Sequence, residues 1–176
     1  MRVGFLAIAL FATPAIGQDF RALNLDQSCD GLATLEQSLG SKPIITSDTQ
    51  PDRYAFSGQA FGHDAFITYY CPDRKLHTGN LFLSTQPLDA ASETYRIIYN
   101  HLVSRYGHPV IDHSPLNGTF SQDTLQKDYF STKLGIEYST VWLGTNRIVD
   151  LALRSNGDVS ASSWRVALGI TYVKPH

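Results

Sequence analysis

Six histidines, two cysteines and sixteen acidic residues carry most of the chain's potential for metal binding and catalysis. Metal sites need ligands one helical turn apart or alternating on a strand, and no histidine is so spaced. Asp112 and His113 form the most catalytic-looking pair, because a neighbouring carboxylate can orient an imidazole as a general base. No serine or cysteine nucleophile is specified beside them. A small periplasmic hydrolase using Asp112 and His113 is therefore the alternative function, and the sequence specifies no metal site and no cofactor.

The N-terminus predicts export. Arg2 precedes an apolar run of about ten residues, and the small residues Ala15 and Gly17 mark a cleavage site. We expect 1–17 to be removed as a signal peptide, leaving 18–176 as a single α+β domain in the bacterial periplasm or outside the cell. The apolar run is shorter than the roughly 20 residues that span a bilayer, so no membrane insertion is expected after cleavage.

Cys29 and Cys71 are the two cysteines of the chain. In an oxidising compartment the simplest interpretation is one disulfide, which would stabilise the fold by about 4 kcal/mol in the chain-entropy model. A metal pair or a free nucleophile would lack partners at a useful spacing. The net charge of −2 and the absence of a basic run argue against nucleic acid as a partner.

The clearest element is a helix that begins near Asp89 and ends before Gly107 and Pro109. Asp89 is expected to be its N-cap, and the glycine and proline are typical of a helix end. One face carries apolar residues at helical spacing. That stripe consists of Ala91, Tyr95, Ile98, Leu102 and Tyr106. Because such a helix is marginal alone in water, it must pack on another layer.

A shorter helix is expected over 28–40, capped by Ser28 or Asp26 and ended by Gly40. Its apolar stripe consists of Leu32, Leu35 and Leu39. A further short helix is possible over 123–134. The segment 112–123 is rich in turn-forming residues and is predicted to be a loop.

The segments 54–61 and 64–71 alternate in polarity around Gly62–His63, which predicts a hairpin with Tyr54 opposite Cys71. Cys71 must face the layer that holds Cys29, and this condition fixes which side chains face the helices. The side chains expected to face the helices are Tyr54, Phe56, Ile67 and Tyr69. Those expected to face away are Ser57, Gln59, Phe66, Thr68 and Tyr70.

A third strand is predicted over 76–84, a second hairpin over 136–143 and 146–154 around Gly144–Thr145, and a last strand over 164–173. In the second hairpin the same alternation assigns one set of side chains to the helix side. That set is Tyr138, Thr140, Val149, Leu151 and Leu153.

Helix and three strands therefore occur twice, in halves at about 26–86 and 88–174. The sequence predicts an α+β fold with one antiparallel sheet, helices on one face, and two tandem α-β-β-β units. The alternative is that any two hairpins with glycine turns look alike. Tandem units of this kind in a small exported protein with a disulfide resemble the β-lactamase inhibitor proteins. That resemblance implies binding of an enzyme on a concave sheet face.

The face of the sheet turned away from the helices is the predicted binding surface. Aromatic and apolar side chains are mixed there with polar ones, as in protein recognition surfaces. The predicted binding residues are Phe66, Tyr70, Phe82, Val141, Ile148 and Arg165, with Asp112 and His113 at the start of the 112–123 loop. We expect an exported inhibitor, immunity-type or envelope accessory protein whose partner is another exported protein. The alternative is an ordinary hydrated sheet face.

Overall fold

The computed structural model describes residues 21, 24–44, 51–84, 86–113, 137–155 and 164–174. Two α-helices and a short 3₁₀ turn are present there: α1 Leu32–Ser38, the 3₁₀ turn Pro72–Arg74, and α2 Leu88–Tyr106. The strands are β1 Lys42–Ile44, β2 Arg53–Ala60, β3 His63–Tyr70, β4 Thr78–Leu83, β5 Ile111–His113, β6 Glu137–Gly144, β7 Arg147–Ser155 and β8 Trp164–Tyr172. The predicted signal peptide, the possible helix over 123–134 and most of the 112–123 loop lie outside the described residues.

All eight strands join one antiparallel sheet in the order β1-β2-β3-β4-β8-β7-β6-β5. Glu36 of α1 accepts a hydrogen bond from Tyr69 on β3, and Tyr95 of α2 bonds Thr140 on β6. The strand register places Tyr69 and Thr140 on the same face, so both helices pack on that face. The prediction of an antiparallel sheet with helices on one face is confirmed.

Alternation along the strands separates a buried face from an outward face, which we define as the face opposite the helices. Phe56, Ile67 and Tyr69 are buried against the helices, whereas Phe66 and Tyr70 are 43% and 39% exposed. The Cys29–Cys71 disulfide is formed, with Cα atoms 6.4 Å apart. The side-chain assignment that was derived from this bond is therefore confirmed for the first hairpin. In the second hairpin all five side chains predicted to be inward are buried.

The turn residues of the first hairpin were predicted wrongly. Ala60 pairs with His63, so the turn is Phe61–Gly62 rather than Gly62–His63. Phe61 and Gly62 have φ of 52° and 81°, the left-handed values that a two-residue type I′ turn requires. Tyr54 consequently pairs with Tyr69 and not with Cys71. The two-residue shift preserves the inward set, because side chains alternate with a period of two.

In the second hairpin Gly144 pairs with Arg147, so its turn is Thr145–Asn146 rather than Gly144–Thr145. The extended segments after each helix also pair, as the short edge strands β1 and β5. Four strands rather than three thus follow each helix. Asp112 and His113, which were predicted to begin a loop, lie in β5.

The helix boundaries also differ from the prediction. α2 begins at Leu88, and Asp89 lies in its first turn instead of capping it. α1 is only seven residues long, and neither Ser28 nor Asp26 caps it. Leu39 is 44% exposed, while Glu36 is fully buried. The stripe of α2 was predicted correctly from Ala91 to Leu102, and all four of its residues over that span are buried.

Candidate functional site

One row of side chains crosses the outward face from edge to edge, one residue per strand. The residues of this central row, from β1 to β5 across the sheet, are Lys42, Ser57, Phe66, Phe82, Ala167, Ala152, Ser139 and His113. Each residue is the direct cross-strand partner of the next, at a spacing of about 5 Å. The two phenylalanines of this row, Phe66 and Phe82, lie in the first half of the sheet, which we define as β1 to β4.

A depression of about 750 Å³ covers this part of the outward face. Its outward-facing lining comes from all four strands of the first half and from β8. Those side chains are Lys42, Ser57, Gln59, Asp64, Phe66, Phe82 and Arg165, with Ser84 at the end of β4. The volume falls within the range of ligand-binding clefts, although the depression is open to solvent and suits a protruding segment better than an enclosed small molecule.

A second depression of about 400 Å³ adjoins the first, and Phe66 lines both. Its outward-facing lining includes Arg53, Thr68, Tyr70 and Asn80. The Arg53 guanidinium lies 5.7 Å from the centre of the Tyr70 ring, a distance at which a cation is attracted to the ring face. Asn80 donates a hydrogen bond to Thr68 over 3.3 Å.

An aromatic pair forms part of the lining of the first depression. The Phe66 and Phe82 rings lie 6.2 Å apart with a 33° angle between their planes. Their cross-strand pairing fixes this distance. Phe66 is exposed although its burial would be favourable by about 2 kcal/mol, so the ring is available to a partner surface.

Cations flank the aromatic pair. Lys42 lies at the β1 edge and Arg165 on β8, while Asp64 supplies the carboxylate within the lining. The Nε atom of Arg165 is buried, and in the part of the chain that the structure describes it donates no hydrogen bond. A buried donor without an acceptor is unfavourable.

The outward face of the second half, β5 to β8, has a different character. Ala152 and Ala167 in the central row are buried, and only 1% of Ala152 is exposed. The Asp150 side chain lies against Gly169, where an added Cβ would collide with it. Val141 and Ile148, predicted as binding residues, are half-buried on this outward face and line neither of the two depressions.

The two predicted edge residues point to opposite faces. Asp112 accepts hydrogen bonds from Tyr99 over 3.0 Å and from Thr140 over 3.3 Å, which holds its carboxylate on the helix side. Alternation along β5 directs the His113 side chain to the outward face, where it ends the central row. The structure thus brings Phe66, Phe82 and Arg165 together, and it separates Asp112 from the outward face.

A buried polar network lies beneath the first half and holds the edge of the depression. The Arg21 guanidinium binds both carboxylate oxygens of Glu36, at 2.9 and 3.1 Å, and donates to Ser41 over 3.1 Å. Arg21 also donates to the Gln59 carbonyl over 3.0 Å. Tyr69 completes the network by donating to Glu36. Gln59 lines the depression, so this network fixes one wall of it.

The electrostatics of the network follow from its burial. Burial raises the pKa of Glu36, but the hydrogen bonds from Arg21, Ser41 and Tyr69 outweigh that effect, so the pKa lies below its ordinary value. Burial and the Glu36 carboxylate raise the pKa of Tyr69 above its usual range. Gly58 makes room for the Ser41 hydroxyl, which a Cβ at that position would displace.

Sequence reasoning missed Arg21 and Glu36. The available signal was the position of Glu36, four residues after Leu32 and therefore on the same helix face. An acidic residue on a buried face requires a partner. Nothing in the local sequence identified Arg21, fifteen residues earlier, as that partner.

The chain matches no protein-family model, no curated protein and no solved structure at a significant level of similarity. Among the described residues, no three His, Cys, Asp or Glu side chains are grouped closely enough to hold a metal ion. The helices of the described part are too short or too polar to cross a membrane.

Proposed function

We propose that this chain is an exported binding module, periplasmic or secreted, that recognises another exported macromolecule through the outward face of its first half. The observation that carries the proposal is the Phe66–Phe82 pair in the lining of the larger depression, with the Phe66 ring exposed. Aromatic residues surrounded by polar groups are enriched at the centres of protein interfaces. An inhibitor, an immunity-type protein or an envelope accessory protein would each need such a surface to hold its partner.

Export is supported by two features. The N-terminal segment has the basic start, apolar run and small residues of a signal peptide. The Cys29–Cys71 disulfide fits an oxidising compartment, because cytosolic thiols are kept reduced. Expression of the full chain in bacteria, followed by N-terminal sequencing of the periplasmic fraction, tests this point. A mature chain that starts at Gln18 is expected, and full-length protein retained in the cytosol would contradict export.

The contacts of Asp112 favour a binding function over hydrolysis. A carboxylate that orients a catalytic imidazole must hydrogen-bond it, whereas Asp112 accepts bonds from Tyr99 and Thr140 on the helix side. The residues that meet in the depressions include neither Asp112 nor His113. Recognition therefore accounts for more of the observed geometry than catalysis does.

We also infer that α1–β4 and α2–β8 are two tandem copies of one unit. The strand order supports this inference. From the central β4–β8 pair, the strands follow outward as β4-β3-β2-β1 on one side and β8-β7-β6-β5 on the other, so the two halves have the same internal order. Profiles built from relatives of the two halves should then be more similar to each other than the two single sequences are. Profiles with no greater mutual similarity would contradict duplication.

Affinity capture from a periplasmic extract tests the binding function. Phe66→Ser and Tyr70→Ser should each lose the partner, because both rings line the depressions of the first half. Val141→Ser and Ile148→Ser are matched controls on the outward face of the second half, and they should retain it. All four variants are first checked for an unchanged urea midpoint. Equal recovery with all four variants would contradict a site in the first half.

A further inference from the structure

We infer that the larger depression takes an extended acidic segment of the partner protein, with one carboxylate on Arg165, a second on Lys42 and an apolar side chain on the Phe66–Phe82 pair. The inference rests on the proposed binding function and adds the chemistry of the bound segment.

Charge complementarity selects an acidic partner. The chain as a whole carries a net charge of −2. The lining of the depression has the opposite balance, with Lys42 and Arg165 against Asp64. Arg53 adds a further cation in the adjoining depression. A positive patch on an otherwise negative surface steers and orients acidic partners.

Arg165 is suited to be the stronger of the two charged anchors. The described residues supply no acceptor for its buried Nε, and no acidic side chain among them forms a salt bridge with its guanidinium. A guanidinium binds a carboxylate through two parallel hydrogen bonds, so one glutamate or aspartate of the partner would satisfy its outer nitrogens. Lys42 is exposed at the sheet edge and offers a less directional charge.

The register sets the spacing of the two acidic residues. Lys42 on β1 and Ala167 on β8 lie in the same row, four strand spacings apart, which is about 19 Å at about 4.8 Å each. Arg165 lies two residues from Ala167 along β8, so the backbones of the two cations are about 20 Å apart. An extended segment advances about 3.3 Å per residue, so the two carboxylates should be about six residues apart. Phe66 and Phe82 lie between the cations, and they would contact an apolar side chain near the middle of the segment.

An unbiased peptide selection tests the inference and needs no purified partner protein. A random dodecapeptide display library is selected against the folded, disulfide-bonded protein, and the enriched peptides are synthesised and titrated by calorimetry. We expect enriched sequences with two acidic residues about six positions apart around an apolar residue. Arg165→Gln should weaken their binding about tenfold or more, and Lys42→Gln by a smaller factor.

Matched variants remove the same charge elsewhere. The two control substitutions are Arg96→Gln on α2 and Lys75→Gln just after the 3₁₀ turn. Both side chains are exposed and lie outside the depressions. These two controls should leave the affinity unchanged. Arg165→Lys should have an intermediate effect, because the charge remains but the two-pronged geometry is lost. Binding should also weaken as salt is raised from about 50 to about 500 mM.

The possible outcomes separate this inference from the proposed function. The selection could instead enrich neutral or basic peptides that bind the Arg165→Gln variant but not the Phe66→Ser variant. That result would overturn the inference of an acidic segment and would leave the proposed binding face intact. Peptides that bind equally to all these variants would contradict both proposals. A concentration-dependent dimer that Phe66→Ser abolishes would identify a second copy as the occupant, and it would overturn the inference.

Discussion

The two halves of the sheet attach their helices to it with different chemistry. In the first half, α1 is joined to β3 by a charged pair: Glu36, bound by Arg21, accepts from Tyr69. In the second half, α2 is joined to β5 and β6 by hydroxyl groups: Tyr95 bonds Thr140, and Tyr99 donates to Asp112. Each half therefore places a carboxylate–tyrosine bond between layers, but the helix supplies the acid in one half and the phenol in the other.

The outward face shows a second difference in the same positions. The central row has a lysine, a serine and two phenylalanines in the first half, against a histidine, a serine and two alanines in the second. The short helix, the disulfide and the ion pair all belong to the half with the exposed aromatic rings. Exposed apolar rings contribute no burial energy, and the disulfide and the buried ion pair supply stabilisation of a different kind in the same half.

Reduction of the Cys29–Cys71 disulfide should have the largest effect, because only the first half has this link. We expect the free energy of unfolding to fall by about 4 kcal/mol for a loop of this length. Chemical denaturation with and without reductant measures the change. Thiol titration of the denatured, unreduced protein should find no free thiol, and a stability that is indifferent to reductant would contradict the assigned role.

Arg21→Ala should have the next largest effect. The substitution leaves the fully buried Glu36 carboxylate without its cation, which should lower the free energy of unfolding by about 3 kcal/mol. Arg96→Ala is the control, because its partner Glu93 is exposed on α2, and its urea midpoint should not change. Similar urea midpoints for the two variants would show that the Arg21–Glu36 ion pair contributes no more to stability than an exposed ion pair does.

Removing one phenol from each half compares the two layer-joining bonds directly. Tyr69→Phe removes a donor to a buried charged carboxylate and should cost about 2 kcal/mol. Tyr99→Phe should cost about 1 kcal/mol, because Asp112 keeps its bond from Thr140 and is only half-buried. Urea denaturation of both variants measures the order. The reverse order would show that the hydroxyl network of the second half is the stronger one.

Acidification should lower the free energy of unfolding gradually and by less than the substitutions above, through Glu36 in the first half. The pKa of Glu36 in the folded protein is below its ordinary value of 4.5, so the stabilisation is present above that pH and is lost as the pH falls through the lower folded pKa. Glu36→Gln should be less stable at neutral pH and should lose less stability between about pH 5 and about pH 3. Urea midpoints over this range test the effect. Parallel curves for both proteins would contradict it.

The sequence by itself determined the layers of this protein. Periods of two and 3.6 residues identified the six longer strands and α2 but not the edge strands β1 and β5, and the disulfide fixed which side of the first hairpin is buried. The predicted register of that hairpin was wrong by two residues, but the assignment of faces stayed correct. A shift of two residues returns every side chain to its own face. Alternation, oriented by the disulfide, therefore assigned Phe66, Tyr70, Phe82 and Arg165 to the outward face.

Only the tertiary structure decided which of those residues meet. The pairing of β4 with β8 joins strands about ninety residues apart, and it brings Arg165 beside Phe82 and the edge of the first half. The same folding carries Arg21 to Glu36 and turns Asp112 toward the helices. Local periodicity indicates which face of a strand each side chain occupies, but it does not indicate which strand lies next to it. Strand order depends on long-range contacts, and those are fixed by the free energy of the whole packed chain.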